Sequence, residues 1–212
     1  MINYKTIREQ VSTYIRDQIL QSKIKPGERI LEQEIADELE ISRGPVRESL
    51  RQLEQEGLLE YRRNRGCVVR EFQKEDAAEI FFIRSALEAA SVMYCEGKIP
   101  DSLQEQMEKI LNQMQDTAKD DGLTEFVEQD QAFHSMIVKA CGLERLYALW
   151  NSLTPVSIAL FMTDSRKNFV LQKQYLRHKQ VFEALKSGDA DLAQKAIYAH
   201  YIKTEALLCN KT

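Results

Sequence analysis

The chain has 212 residues, 43% hydrophobic and 29% charged, with 8 Gly and 4 Pro. This composition excludes collagen-like and low-complexity chains and specifies a soluble, helix-rich protein of one large or two modest domains. The formal net charge of −4 offers no overall attraction to nucleic acid, so any such surface must be local.

The first ten residues, MINYKTIREQ, lack the apolar stretch of a signal peptide, and the longest apolar run, Val156 to Met162, is too short to span a bilayer. A cytoplasmic location is expected. Cys67, Cys95, Cys141 and Cys209 have no C-x-x-C spacing, which argues against a disulfide framework and against a thiolate zinc site.

In chain order, Ile7, Val11, Ile15 and Ile19 recur at four-residue steps and predict a helix from about Tyr4 to Gln21, ended by the Pro26-Gly27 turn. Ile30, Leu31, Ile35 and Leu39 mark a short second helix through Glu38. After a break at Glu40-Ile41-Ser42 comes a third, with Ser42 as N-cap, Pro45 in its first turn and Gly57 as its stop. Leu58 to Arg62 and Cys67 to Glu71 are rich in β-formers, and the intervening Asn64 and Gly66 suit a hairpin turn. From Lys74 onward, six amphipathic helices are expected at about 74–96, 101–120, 124–140, 143–163, 168–187 and 189–209. Short connections between them imply an antiparallel bundle. The expected class is mainly α, with domains at 1–72 and 73–212.

Charge is distributed unevenly. Residues 1–70 carry 13 basic against 12 acidic side chains, and residues 71–212 carry 16 against 21. Seven arginines fall within 41–70. In the third helix Val46, Leu50 and Leu53 form an apolar stripe, while Arg43, Arg47 and Arg51 form a second stripe about 100° away. A helix that packs on one face and is cationic on the next is what major-groove reading requires, since guanidinium groups fork onto guanine edges or phosphate. Gly44 removes bulk where the backbone would approach a duplex, and the hairpin tip adds Arg62, Arg63 and Arg65.

The stretch PGERILEQEIADELEISRGPVRESLRQLEQEGLLEYRRNRGCVV resembles the winged helix-turn-helix of GntR-family bacterial transcription regulators over about residues 5–71. It departs from the family pattern only in Ile30 and Ile35 for Leu and in Ser49 for the usual Ala. The resemblance implies that Ser42, Arg43, Gly44, Pro45, Arg47 and Arg51 face an operator duplex. It also implies that Asn64, Arg65 and Gly66 approach the minor groove.

All three histidines, His134, His178 and His200, lie in the helical half. Asp130 and His134 are four residues apart and share one helix face. His178 precedes Gly188 by ten residues and His200 follows it by twelve. On a hairpin turning there they stand at about 15 and 18 Å, the same level within one turn. One carboxylate and three imidazoles suit a borderline divalent cation such as Zn²⁺, Ni²⁺ or Mn²⁺.

This half resembles the FCD effector domain of the FadR subgroup, through Asp130-Gln-Ala-Phe-His134, His178-Lys-Gln-Val-Phe, and Gly188-Asp-Ala-Asp-Leu-Ala followed by His200. The resemblance implies that these four residues bind metal and that a small organic acid completes the site; six helices suggest the shorter VanR-like branch. Arg84 and Glu88 match a family R-x-x-x-E element, either as a surface ion pair or with Arg84 clamping an effector carboxylate. Asn151 and Tyr175 are further effector-contact candidates, and Ser152, Thr154 and Ser157 join Asn151 if they face inward.

The expected function is a homodimeric regulator, in the commoner family mode a repressor, that binds an operator and responds to an organic acid. The same Asp/His set would also serve a metal-dependent hydrolase, although four protein ligands leave little open coordination, or a direct metal sensor.

Overall fold

The computed structural model describes residues 6–21, 23–120, 122–160 and 171–209. The expected start of the first helix at Tyr4 and the helix ends expected over 161–163 and 168–170 lie outside them.

The N-terminal unit contains α1 (Ile7–Leu20), α2 (Glu32–Glu38), α3 (Arg43–Gln55), β1 (Leu59–Arg62) and β2 (Gly66–Val69). Thr6 and Glu9 close a reciprocal capping box that starts α1. The apolar stripes Val11, Ile15, Ile19 and Val46, Leu50, Leu53 meet in one core. Ser49 lies 2.8 Å from the carbonyls of both Pro45 and Arg8, so the hydroxyl that departs from the expected Ala ties α3 to the first turns of α1. The strands pair antiparallel with Leu59 opposite Val69 and Arg62 opposite Gly66.

The segment before α2 corrects one expectation. Ile30 is not helical: its N–H donates to Cys67 O at 3.0 Å, and Arg29 bridges Val68, so this stretch lies along the wing. Helix α2 therefore begins only at Glu32, with Leu31 as N-cap. The Pro26-Gly27 turn sends the backbone past β2, where those groups find sheet partners before any helix forms.

The helical unit contains α4 (Lys74–Tyr94), α5 (Asp101–Lys119), α6 (Leu123–Lys139), α7 (Glu144–Ser152), a helical stretch over 154–160 (α8), α9 (Leu171–Lys186) and α10 (Ala190–Cys209). The helix expected over 143–163 is thus broken at Leu153. Pro155 has no N–H to donate back to Asn151, and its ring would collide with that carbonyl, so a new helix starts. Among the described residues this stretch is thus two helical segments that meet at Leu153. Helices α4, α9 and α10 enclose the core with α5 and α6. The α9–α10 turn is pinned where a β-carbon on Gly97 would come within 2.6 Å of Gly188 O, which only glycine permits.

The two units touch through α8. Ala159 is buried in the N-terminal core, and Phe72 packs against both cores. An ion pair joins Arg70 after the wing to Asp76 in the first turn of α4. A cavity of about 440 Å³ opens between the units, bounded by Gln52, Glu56, Arg70, Asp76, Ser152 and Val156. Among the described residues no helix is long and apolar enough to cross a membrane.

Candidate functional site

The arginine stripe emerges where expected. Ser42 is the N-cap of α3 and makes no capping bond with its side chain, which leaves its hydroxyl on the exposed end of the helix. Gly44 faces open space, with nothing within 4 Å of a β-carbon built there. Arg43, Arg47 and Arg51 are exposed and Pro45 sits in the first turn. At the hairpin Asn64 (φ 66°) and Gly66 (φ 76°) make the turn that presents exposed Arg65.

One partner was not foreseen. The Glu32 carboxylate at the start of α2 accepts from both Arg43 and Arg47 at 3.0 Å. Arg47, then Arg43, hold this carboxyl below the ordinary range. Nothing local in the sequence pairs position 32 with 43 and 47; the α2–α3 turn does. Arg62 is committed to Glu60 and Glu71, which leaves Arg63 and Arg65 as the outward cations of the tip.

In the helical unit Asp130, His134, His178 and His200 offer ligand atoms that all lie within 4.8 Å of one another. His134 Nε2 is 3.2 Å from His200 Nε2, and His178 Nε2 is 2.8 Å from Asp130 Oδ1. The three imidazoles are buried, while Asp130 keeps 13% of its side chain exposed and forms the open side of the cluster.

The donor set fits a divalent cation. His178 Nδ1 faces the Gln174 main-chain carbonyl at 2.8 Å, and His134 Nδ1 faces the Glu88 carboxylate at 2.8 Å. Both partners accept, so both Nδ1 atoms carry a proton, and with an ion bound both Nε2 atoms would offer it their lone pairs. Two lone pairs, the His200 ring and a carboxylate oxygen converging in a buried space repel one another unless a cation or protons stand between them. His200 Nδ1 is buried with no hydrogen-bond partner, which leaves its orientation to whatever Nε2 engages.

Electrostatics run in the same direction. Burial opposes ionisation of Asp130, but the hydrogen bond from His178 and the charges of His134, His178 and Arg84 outweigh it and hold the carboxyl below its usual value. Burial also opposes protonation of His134, yet Glu88 and Asp130 raise it. His200 is pushed well down, first by burial and then by the neighbouring imidazoles, and stays neutral.

Arg84 and Glu88 are not a surface pair: they are 1% and 0% exposed and do not bond to each other. Arg84 donates to Gln131 at 2.9 Å, Thr154 at 3.1 Å and the Tyr201 hydroxyl at 3.3 Å, and stacks 4.1 Å above the Trp150 ring. Glu88 accepts from His134, Trp150 and Tyr201. Tyr201 thus stands between the two. Asn151 and Ser152 are exposed on α7, away from this site, because the Leu153 break turns the following residues inward; Thr154 takes the place expected of Asn151. Tyr175 is buried in the apolar core, and among the described residues the rings against the imidazoles are Phe126, Phe133 and Tyr201 instead. The roles of Glu88, Trp150, Gln131 and Tyr201 depend on helices far apart in sequence, and no local spacing signals them.

A cationic helix and wing on one unit, and a buried ionic site on a second unit that reaches into the first, define a DNA-binding regulator. The family description "Bacterial regulatory proteins, gntR family" matches residues 7–69, and "FCD domain" matches residues 79–203. The chain belongs to the gntR family of bacterial regulatory proteins, with an FCD domain as its helical half. It is 29% identical to the "Probable D-xylose utilization operon transcriptional repressor" of Paenarthrobacter nicotinovorans, across 92% of this chain and 85% of that protein. It is 27% identical to the "Gluconate operon transcriptional repressor" of Bacillus licheniformis, across 91% and 81%. A GntR transcriptional regulator from Rhodococcus sp. has the same fold, with a TM-score of 0.81 at 22% identity across 96% of this chain and 99% of that one. These families and relatives are transcription regulators and not enzymes, which removes the hydrolase reading.

Proposed function

We propose that this protein is a cytoplasmic repressor whose grip on an operator is set by a small organic acid bound beside a divalent ion, Zn²⁺, Ni²⁺ or Mn²⁺, at Asp130, His134, His178 and His200. The observation that carries this reading is the placement of Arg84. A guanidinium that is 1% exposed and that, among the described residues, is bonded to neutral partners and to no carboxylate is a strong site for a bidentate anion. The bound ion would supply a Lewis-acidic contact to the same ligand, and the chain's own groups orient it.

The route to DNA is short. Thr154, which accepts from Arg84, opens α8, and α8 places Val156 over Gly57 at the end of α3 and Ala159 in the N-terminal core. An acid that draws Arg84 off Thr154 alters the seating of α8, and its effect on operator affinity equals its preference for one seating over the other. We take the units to divide at 72/73 and to act as a homodimer. The exposed Phe82 and Met93 of α4, with Ile202 of α10 beside Phe82, supply an apolar face for a second copy. The dimer presents two arginine helices and two wings to a near-palindromic site.

The test is an operator mobility-shift assay with metal and candidate acids added separately and together, alongside elemental analysis of the purified protein and of His134→Ala. Release that requires both acid and metal supports the reading. Release by metal alone identifies a metal sensor. Equal metal content in the two proteins overturns the site.

A further inference from the structure

We propose that Glu88 and Trp150 together fix the tautomer of His134, which makes Glu88 a positioning residue for the divalent ion; the proposal rests on the metal reading above. Glu88 is fully buried. One carboxylate oxygen accepts from Trp150 Nε1 at 2.8 Å and from the Tyr201 hydroxyl at 2.5 Å, and the other faces His134 Nδ1 at 2.8 Å. An indole N–H can only donate, so the position facing Trp150 must be an acceptor. A carboxylate also accepts at its other oxygen, so His134 keeps its proton on Nδ1 and aims the Nε2 lone pair at the shared point.

The three histidines are controlled differently. His178 is set by a main-chain carbonyl, which no side-chain substitution removes, and His200 Nδ1 has no partner. At His134 the Nδ1 partner is a side chain, Glu88, so a substitution there can reset the outer face of the ring. Glu88→Gln keeps the shape but changes the logic. Trp150 forces the amide oxygen to its own side, so the amide N–H₂ faces His134 Nδ1 and the imidazole proton moves to Nε2. The ring then offers a donor where a ligand atom is needed.

Two readouts test this on the full chain. In the metal-free protein, at a pH where the imidazoles are neutral, ¹⁵N NMR assigns the protonated nitrogen of His134. Zn²⁺ affinity follows from titration against a competing chelator. The expected results are Nδ1–H in the wild type, Nε2–H in Glu88→Gln, and a 10–100-fold loss of Zn²⁺ affinity in that variant. Trp150→Phe alone leaves the tautomer unchanged. Combined with Glu88→Gln and with Tyr201→Phe, which removes the other donor to the same oxygen, it lets the amide turn its oxygen to His134, which restores Nδ1–H and recovers most of the Zn²⁺ affinity. An Nδ1–H signal in Glu88→Gln overturns the proposal, and so does a triple variant that stays on Nε2–H. Should the wild type take up no Zn²⁺, the metal reading fails, while the NMR result still decides the role of Glu88.

Discussion

Val156 of α8 lies directly over Gly57 at the end of α3: a β-carbon at position 57 would stand 3.3 Å from Val156 Cγ2, on a backbone with φ of +79°. The residue that stops the arginine helix is therefore also the seat of the helical unit. Val156→Ala is expected to cost about 1–3 kcal/mol of stability and to shrink the change in operator affinity produced by an effector. Anisotropy titrations of labelled operator with and without ligand would show this; an undiminished response would remove α8 as the link.

Glu32 holds Arg43 and Arg47 in place but also sets a negative charge beside them. Glu32→Gln is expected to strengthen binding to non-operator DNA and to narrow the gap between operator and random sequence. Arg47→Ala, by contrast, should weaken operator binding by about 1–3 kcal/mol if it forks onto a base. Binding isotherms over a salt series would separate the two, since phosphate contacts alone steepen the salt dependence.

Tyr201 donates to Glu88 and accepts from Arg84, all three buried. Tyr201→Phe leaves both partners short of a hydrogen bond at once. Chemical denaturation should register a loss of about 1–3 kcal/mol, and a variant as stable as the wild type would mean that water fills the gap.

The raised titration of His134 sets a pH dependence with a definite sign. In the metal-free protein its pairing with Glu88 contributes stability that is complete below the unfolded-state value of 6.5 and is lost as pH rises through the elevated folded value. Asp130, held low, contributes stability that is present above 3.8 and is lost as pH falls through its folded value. A divalent ion needs the His134 Nε2 lone pair and must displace any proton there. The rise in melting temperature on adding Zn²⁺ should thus grow with pH across neutrality. Differential scanning fluorimetry with and without Zn²⁺ checks this, and a constant increment would argue against His134 as a ligand.

The sequence by itself determined the helix-and-wing unit. Its apolar stripes, Pro26-Gly27 turn, Ser42 cap and Gly57 stop are local signals, and periodicity decides which face of a helix is buried. The meeting of His178 and His200 was also legible, because a hairpin with a marked turn converts residue counts into depth. Only the tertiary structure decided the rest. Glu88, Trp150, Tyr201 and Gln131 come from four helices, and their bonds to one another and to Arg84 depend on how those helices rotate and cross. The inward turn of Thr154 in place of Asn151 depends on where Pro155 breaks a helix. Hydrogen-bond partners across a bundle are fixed by packing at sub-ångström scale, and the repeat of apolar residues along one strand of sequence carries no record of that packing.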